Sequence, residues 1–507
     1  MKEGINHIET DWIKRWALYS PKNIALKSVE DGTELSYKDL YSSINRVAAL
    51  LTQKYGVSKG DRVAVLSINR IEYVVLFFAI QKLGAIMLPL NYRLAIPELT
   101  YQLQDADVKL FVYETSFEDT IKKVDHQAEA LINFDDQDGL SAIMFATSEP
   151  PEIESRSEFD DPCMILYTSG TTGRPKGAVI TNKMLFWNST NTGLRLNLTQ
   201  QDVSVTFAPF FHTGGWNVLT TPLLHRGATV LLMKKFDPDT ILKLCDEEEV
   251  TILFGVPTMM DMMFRSDEFE NSSLKTVRYA IVGGEPMPLK LIEAWQDKGI
   301  PVRQGYGLTE FGPNVFSLNQ EDSKRKIGSI GFPNFYIDTR VVDDNGKDVS
   351  QGKAGELILK GPVCMKEYWK NPEATAKTVV NGWLHTGDIV QVDEDGYFYV
   401  IDRKKEMFIS GAENVYPAEV EHVFRQHPDV RDIAVIGVPD EKWGESGKAF
   451  IVLNEDSSVT AEDFLSWGKG QLAKFKVPKH YEFIKELPKS DSGKILKKAL
   501  KDREGLK

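Results

Sequence analysis

The chain has 507 residues, too many for one compact core, so two or more domains are expected. Hydrophobic residues make up 42% and charged residues 26%, the ordinary balance of a globular protein. A formal net charge of -13 argues against a general nucleic-acid binder, which needs a basic face, but leaves room for a local cationic pocket.

Along the N-terminal stretch, Lys2, Glu3, Glu9, Asp11, Lys14 and Arg15 interrupt any apolar signal core. A strand is expected at 63–66. The most apolar run, 73–90, is broken by Gln81-Lys82 and Gly84 and is too short for a bilayer span. It reads as a buried helix at 71–82 leading into a strand at 86–90. The expectation is a cytoplasmic protein without a transmembrane segment, with peripheral membrane contact and a homodimer left open. Cys163, Cys245 and Cys364 lie far apart and suggest neither a disulfide framework nor a zinc site.

An apolar run, Met164-Ile165-Leu166-Tyr167, leads into Thr168-Ser169-Gly170-Thr171-Thr172-Gly173-Arg174-Pro175-Lys176-Gly177. These ten residues hold three glycines, four hydroxyls and two cations. A strand ending in such a loop brings backbone N–H groups, hydroxyl donors and positive charge into one small volume, which suits polyphosphate. A solvated surface turn is the competing reading. The loop is not a Walker A site, because Lys176 follows Pro175 and precedes Gly177, and Gly493-Lys494 is followed by Ile495.

Strands follow at 203–207, 229–233, 252–254, 279–282 and 302–304, with helices at 238–248 and 288–298. This alternation predicts an α/β fold of layered subdomains with largely parallel sheets. Gly283-Gly284-Glu285 and Gly305-Tyr306-Gly307 follow two of the strands, and ligands in such folds gather at strand carboxyl ends. From about 325 to 402 the texture is β-rich. One hairpin is expected about 343–346, between 339–342 and 355–359, and a second about 393–396, before a strand at 397–401. The charged break Asp402-Arg403-Lys404-Lys405-Glu406 places a boundary between a large N-terminal domain, 1–402, and a small mobile α+β C-terminal domain, 403–507. The latter reads as helix 417–425, strands 433–438 and 449–453, and helix 461–472.

Six segments, in order, carry a resemblance. They are residues 167–177; Phe210-Phe211-His212-Thr213-Gly214-Gly215; Tyr306-Gly307-Leu308-Thr309-Glu310; Trp383-Leu384-His385-Thr386-Gly387-Asp388; residues 402–406; and Leu487-Pro488-Lys489 through Gly493-Lys494. Together they resemble the adenylate-forming superfamily of acyl-CoA synthetases, adenylation domains and luciferases. The resemblance implies a carboxylate attacking the α-phosphate of ATP, then a thiol, usually that of CoA, attacking the acyl-adenylate. It implies ATP, magnesium and CoA as partners of the reaction.

Residue by residue, the resemblance assigns Thr168, Ser169, Gly170, Thr171, Thr172, Gly173 and Lys176 to the phosphates. Gly284, Glu285, Tyr306, Gly307 and Thr309 go to the nucleotide, with Tyr306 stacking on adenine. It implies Glu310 as the magnesium ligand, Asp388 as the acceptor of both ribose hydroxyls, and Arg403 as its companion. Lys494, with Lys176 and Thr309, forms the catalytic set; Lys494 would bridge carboxylate and phosphate, as a compact charge on a flexible stem can. Lys405 would be the pivot of a rotating C-terminal domain, and Gly411 would line the pantetheine tunnel. His212, Trp216 and Gly305 would form the acyl pocket, with Trp216 where some long-chain members place a tunnel-gating tryptophan. Glu367-Tyr368 departs from the Gly-Tyr often found in relatives.

Amino-acid-activating members of the family place an aspartate near this region to pair with the substrate ammonium, and no acid lies between Phe210 and Trp216 here, so the resemblance disfavours an amino-acid substrate. The expectation is a medium- or long-chain fatty acid. The alternatives are an aromatic acid of cinnamate or benzoate type, an acyl-AMP ligase loading a carrier protein, a luciferase-like oxygenase, or a non-catalytic nucleotide-binding scaffold.

Overall fold

A computed structural model describes residues 9–168, 175–284, 287–403, 406–410, 413–441, 443–455, 457–472, 474–490 and 493–506. The chain divides into two compact units, Met1–Asp338 with Leu359–Leu384, and Thr339–Ile358 with His385–Lys507. The charged break at 402–406 lies inside the second unit. The reason is local: strand Phe398–Arg403 is zipped antiparallel onto strand Trp383–Val392, so the chain before the break is already committed to that unit.

The first unit is built on three sheets. Its six-stranded sheet runs Ala130–Asn133, Leu110–Tyr113, Arg62–Leu66, Ile86–Pro89, Pro162–Thr168 and Lys176–Thr181. All pairings are parallel except the last. Strands covered on both faces carry continuous apolar runs, as Val63, Ala64, Val65 and Leu66 do with no exposure. A second sheet orders Glu34–Ser36, Ile24–Ser28, Thr229–Leu232 and Val203–Thr206. A third begins with parallel Ile252–Gly255, Tyr279–Val282 and Val302–Tyr306, then turns antiparallel through Phe316–Ser317 and Phe332–Pro333.

The helix Ile71–Lys82 is the apolar run of the sequence, and every residue in it except Glu72 is buried. It therefore has no solvated face and no amphipathic pattern. Lys82 ends it with its charge inside the protein, which costs several kcal/mol unless paired. Its Nζ lies 2.8 Å from Asp11 Oδ2 and 4.5 Å from the Tyr41 ring centroid. Among the described residues no helix is long and apolar enough to cross a membrane.

In the second unit, the Asp393–Gly396 turn leads into the expected strand and pairs it with Trp383–Val392, with Gly396 at φ +87° donating to Asp393 O. The other turn closes sooner than expected. Asp343 N–H donates to Lys347 O and Val342 bridges Asp348, so the first return leg is 347–348. Further on, Val430–Asp440 and Gly444–Leu453 form one long antiparallel pair, with His480–Phe483 added in parallel. Phe424 and Phe464, from helices Pro417–Phe424 and Ala461–Gln471, pack one face of this sheet with Val435 and Ile451. Leu487 and Leu500 cover the other face with Ile436 and Phe450. This is the α+β texture read from the sequence.

Candidate active site

The phosphate loop springs from an antiparallel pair in which Thr168 and Lys176 are direct partners. Ser169, Gly170, Thr171, Thr172 and Gly173 lie outside the described residues. What is described is the mouth of the loop. Thr168 Oγ1 lies 3.4 Å from Lys176 O and 3.3 Å from Glu310 Oε1, and donates toward both. Gly177 is a steric requirement, since a Cβ there would come within 2.7 Å of Ile165 Cγ2.

Glu310 sits in the short 3-10 turn Thr309–Phe311, directly after strand Val302–Tyr306. Gly307 lets the chain turn here, because a Cβ would collide with the Pro313 carbonyl. Tyr306 pairs with Phe316, its ring edge-on at 5.8 Å. Gly305 has ordinary clearance, with no atom nearer than 3.7 Å to a built Cβ. Gly284 adopts φ +88° and is exposed. Glu285 lies outside the described residues.

A residue the sequence reading left without a role completes this corner. Tyr368 donates its hydroxyl to Glu310 Oε1 at 2.8 Å, and Lys176 Nζ lies 5.1 Å from the centroid of its ring. Burial first, then the neighbouring Glu310 charge, push the Tyr368 hydroxyl well above the usual phenol range, so it stays protonated and donates. Residues 365–369 are laced to their surroundings. Met365 N–H donates to Glu310 O at 2.8 Å, Lys366 N–H to Val179 O at 3.1 Å, Val179 N–H to Glu367 O at 2.9 Å, and Trp369 N–H to Gly177 O at 2.7 Å. Glu367 is not among the residues at positive φ, so its departure from Gly-Tyr leaves no backbone strain. The sequence offered only an aromatic pair here; the lacing that aims Tyr368 is tertiary.

Among the described residues no group of three or more His, Cys, Asp or Glu is placed to hold a metal. Glu310 fits magnesium in another way. Its Oε1 is engaged by two hydroxyls, while Oε2 accepts no hydrogen bond from a described residue. Magnesium commonly binds through one or two carboxylates, with substrate phosphates and water completing its octahedron.

On the acyl side, Asn69 clamps the 208–216 segment, accepting from Phe210 N–H at 3.1 Å and donating to Ala208 O at 2.9 Å. The His212 ring tilts against Phe211 at 4.5 Å. Trp216 points elsewhere: it is 0% exposed, stacked on Phe210 at 4.1 Å, with Phe77 at 5.0 Å and Tyr73 at 5.7 Å. It fills the core rather than lining an opening. A recess of about 10 Å³ lies between Ala208, Gly214, Leu219, Thr220 and Phe254. The Phe254 ring is the nearest group to a Cβ built on Gly214, at 3.8 Å.

The second unit presents its own candidates. Asp388 is 4% exposed, and its cross-strand partner is Arg403, of which only the backbone is described. The backbone before Asp388 is pinned. Thr386 Oγ1 donates to Leu357 O at 2.8 Å and accepts from Asp388 N–H at 3.0 Å; Gly387, at φ +70°, donates to Glu356 Oε1 at 3.2 Å. Lys494 is exposed where a turn closes: Ser490 N–H donates to Lys494 O at 2.7 Å, Lys489 bridges Ile495, and Gly493 adopts φ +83°. Ion pairs hold both sides of that turn, Lys489 to Asp432 at 2.9 Å and Lys497 to Glu421 at 2.8 Å. Lys405 and Gly411 lie outside the described residues.

The AMP-binding enzyme family matches residues 13–369, and the C-terminal domain of AMP-binding enzymes matches residues 419–494. The chain belongs to this family of adenylate-forming acyl-CoA synthetases. The enzyme is 40% identical over 494 residues to a feruloyl-CoA synthase from an Amycolatopsis species, covering 97% of this chain and 98% of that one. It is 37% identical over 497 residues to a long-chain-fatty-acid–CoA ligase of Mycobacterium tuberculosis, covering 97% of each. The solved o-succinylbenzoate coenzyme A synthetase from Bacillus subtilis, in complex with ATP and magnesium ion, aligns with a TM-score of 0.85 at 32% identity. That alignment covers 97% of this chain and 99% of the other.

Proposed function

We propose that the enzyme activates an apolar aryl carboxylic acid of cinnamate size with ATP and transfers the acyl group to CoA, releasing AMP. In the first half-reaction a carboxylate oxygen bonds to the α-phosphorus and pyrophosphate leaves. In the second, the CoA sulfur bonds to the acyl carbon and AMP leaves. Both reactants of the first step are anions, so neutralisation and alignment carry most of the catalysis. Lys176 and the hydroxyl loop serve the departing pyrophosphate, and Lys494 the incoming carboxylate and α-phosphate. Asp388 and Arg403 hold the ribose, and Tyr306 stacks on adenine. Glu310 would hold magnesium, which when bound would neutralise phosphate charge. Rotation about Lys405 then withdraws Lys494 and admits the thiol, past Gly411. The three cysteines are unpaired, which supports a cytoplasmic setting.

The aryl preference is supported by the similarity to a feruloyl-CoA synthase and by the burial of Trp216 in the core, where it lines no opening among the described residues. A flat ring enters a packed site by displacing one side chain, whereas a long alkyl chain needs a continuous tunnel. A medium- or long-chain fatty acid is the second reading, supported by the Mycobacterium tuberculosis relative. A panel running from acetate through palmitate, with benzoate, cinnamate and ferulate, separates them by thioester formation with free CoA. The highest kcat/KM for a phenylpropenoate supports the proposal, and the highest value for palmitate overturns the aryl preference. Adenylate formation without transfer to free CoA would point to a carrier-protein ligase instead.

A further inference from the structure

Resting on that reading of Glu310, we propose that Tyr368 is a positioning residue that fixes the metal-binding carboxylate with its hydroxyl and the phosphate-binding lysine with its ring. Two contacts on different parts of one side chain carry this. The hydroxyl donates to Glu310 Oε1 at 2.8 Å, and the ring lies 5.1 Å from Lys176 Nζ. The Tyr368 backbone is held too, its N–H donating to Thr375 Oγ1 at 2.9 Å, while Met365 of the same segment grips the Glu310 carbonyl.

A carboxylate that ligates a metal through one oxygen needs the other restrained, or it rotates and loses the ion. Here Tyr368 and the weaker Thr168 contact at 3.3 Å both occupy Oε1, and Oε2 is the oxygen left to present. Removing such an outer partner typically weakens metal affinity by 10-fold or more. The ring acts separately. An ammonium over an aromatic face is held by the ring quadrupole, and the Lys176 backbone is already fixed in strand Lys176–Thr181. One residue therefore sets the spacing between the cation that meets the phosphates and the acid that meets the metal.

The test is ATP binding by calorimetry in the absence of acid and CoA, across a magnesium series and in EDTA. Tyr368→Phe keeps the ring and loses the hydroxyl. The magnesium concentration for half-maximal enhancement of ATP binding is expected to rise about tenfold, with ATP affinity in EDTA unchanged. Tyr368→Leu removes the ring as well and is expected to weaken ATP binding in EDTA too. Glu310→Gln is expected to abolish the magnesium enhancement, and adding Tyr368→Phe to it to change nothing further. Thr168→Val gives a smaller shift in the same direction and carries the test if Tyr368→Phe fails to fold. A Tyr368→Phe enzyme with wild-type magnesium dependence overturns the proposal while leaving Glu310 in place, as does a tyrosine effect that persists in the Glu310→Gln background. A Glu310→Gln enzyme with wild-type magnesium dependence overturns the Glu310 reading and the proposal together.

Discussion

The corner around Glu310 and the segment around Trp216 are both parts of the first unit, yet they are built on opposite principles. At Glu310, directional contacts fix single atoms: two hydroxyls on one carboxylate oxygen, a backbone carbonyl gripped by Met365, and a glycine that no other residue can replace at 307. At the Trp216 ring, contacts are aromatic faces and edges in a packed core, where shape matters and the indole nitrogen has no hydrogen-bond partner among the described residues. Phosphate and metal chemistry is common to every adenylate-forming reaction, so a directional site serves it. The acid varies, and an apolar wall can be reshaped by one ring. The first region should therefore fail by losing chemistry, the second by losing stability or changing preference.

The largest effect expected lies on the chemical side. Lys494→Ala should reduce acid-dependent ATP–pyrophosphate exchange by about a hundredfold or more, while thioester formation from synthetic acyl-adenylate persists. Equal loss of both half-reactions would remove Lys494 from its assigned step. Next comes the core side: Trp216→Ala should cost about 3–5 kcal/mol of stability, read as a lowered thermal midpoint. A stable Trp216→Ala enzyme that accepts longer acids would make this residue a gate after all and erase the contrast.

Asp388→Asn exchanges a two-acceptor carboxylate for an amide, and should raise the KM for ATP about tenfold. The loss should shrink for a deoxyribose analogue that lacks one of the two hydroxyls. The smallest effect should come from Phe254→Ala, which opens the recess beside Gly214. A shift of kcat/KM toward bulkier acids, with ATP kinetics unchanged, would sharpen the division between the two regions. A change in ATP affinity would blur it.

The same contrast explains what was legible in the sequence. Strands at 63–66, 203–207 and 279–282 and the helix at 71–82 were readable because apolar runs bounded by glycine and charge leave few alternatives. Lys176 stood out in a loop rich in hydroxyls and glycines, whereas Glu310, Asp388 and Lys494 were reached through the family resemblance that six ordered motifs carry, since none of them is distinctive alone. Tyr368 was not readable, because its role depends on the pairing of residues 365–369 with strand Lys176–Thr181 and with Glu310, far apart along the chain. The direction of Trp216 was unreadable for a similar reason. Its spacing from His212 fits both a pocket and a core, and only the packing of Phe77, Tyr73 and Phe210 decides. The first return of the turn at 343–346, onto 347–348, is fixed by Asp343, whose Oδ1 accepts from Asn345 N–H and Lys347 N–H at 2.9 Å each, a local signal that a hairpin pattern alone does not carry as far as 347.

The central claim is that a carboxylate, and not water, attacks the α-phosphate. A cinnamate labelled with heavy oxygen at both carboxylate positions tests it in one turnover with CoA, by mass spectrometry of the products. The account predicts AMP carrying one heavy oxygen and a thioester carrying the other. Unlabelled AMP, with heavy oxygen in inorganic phosphate or with both atoms still in the acid, would contradict it.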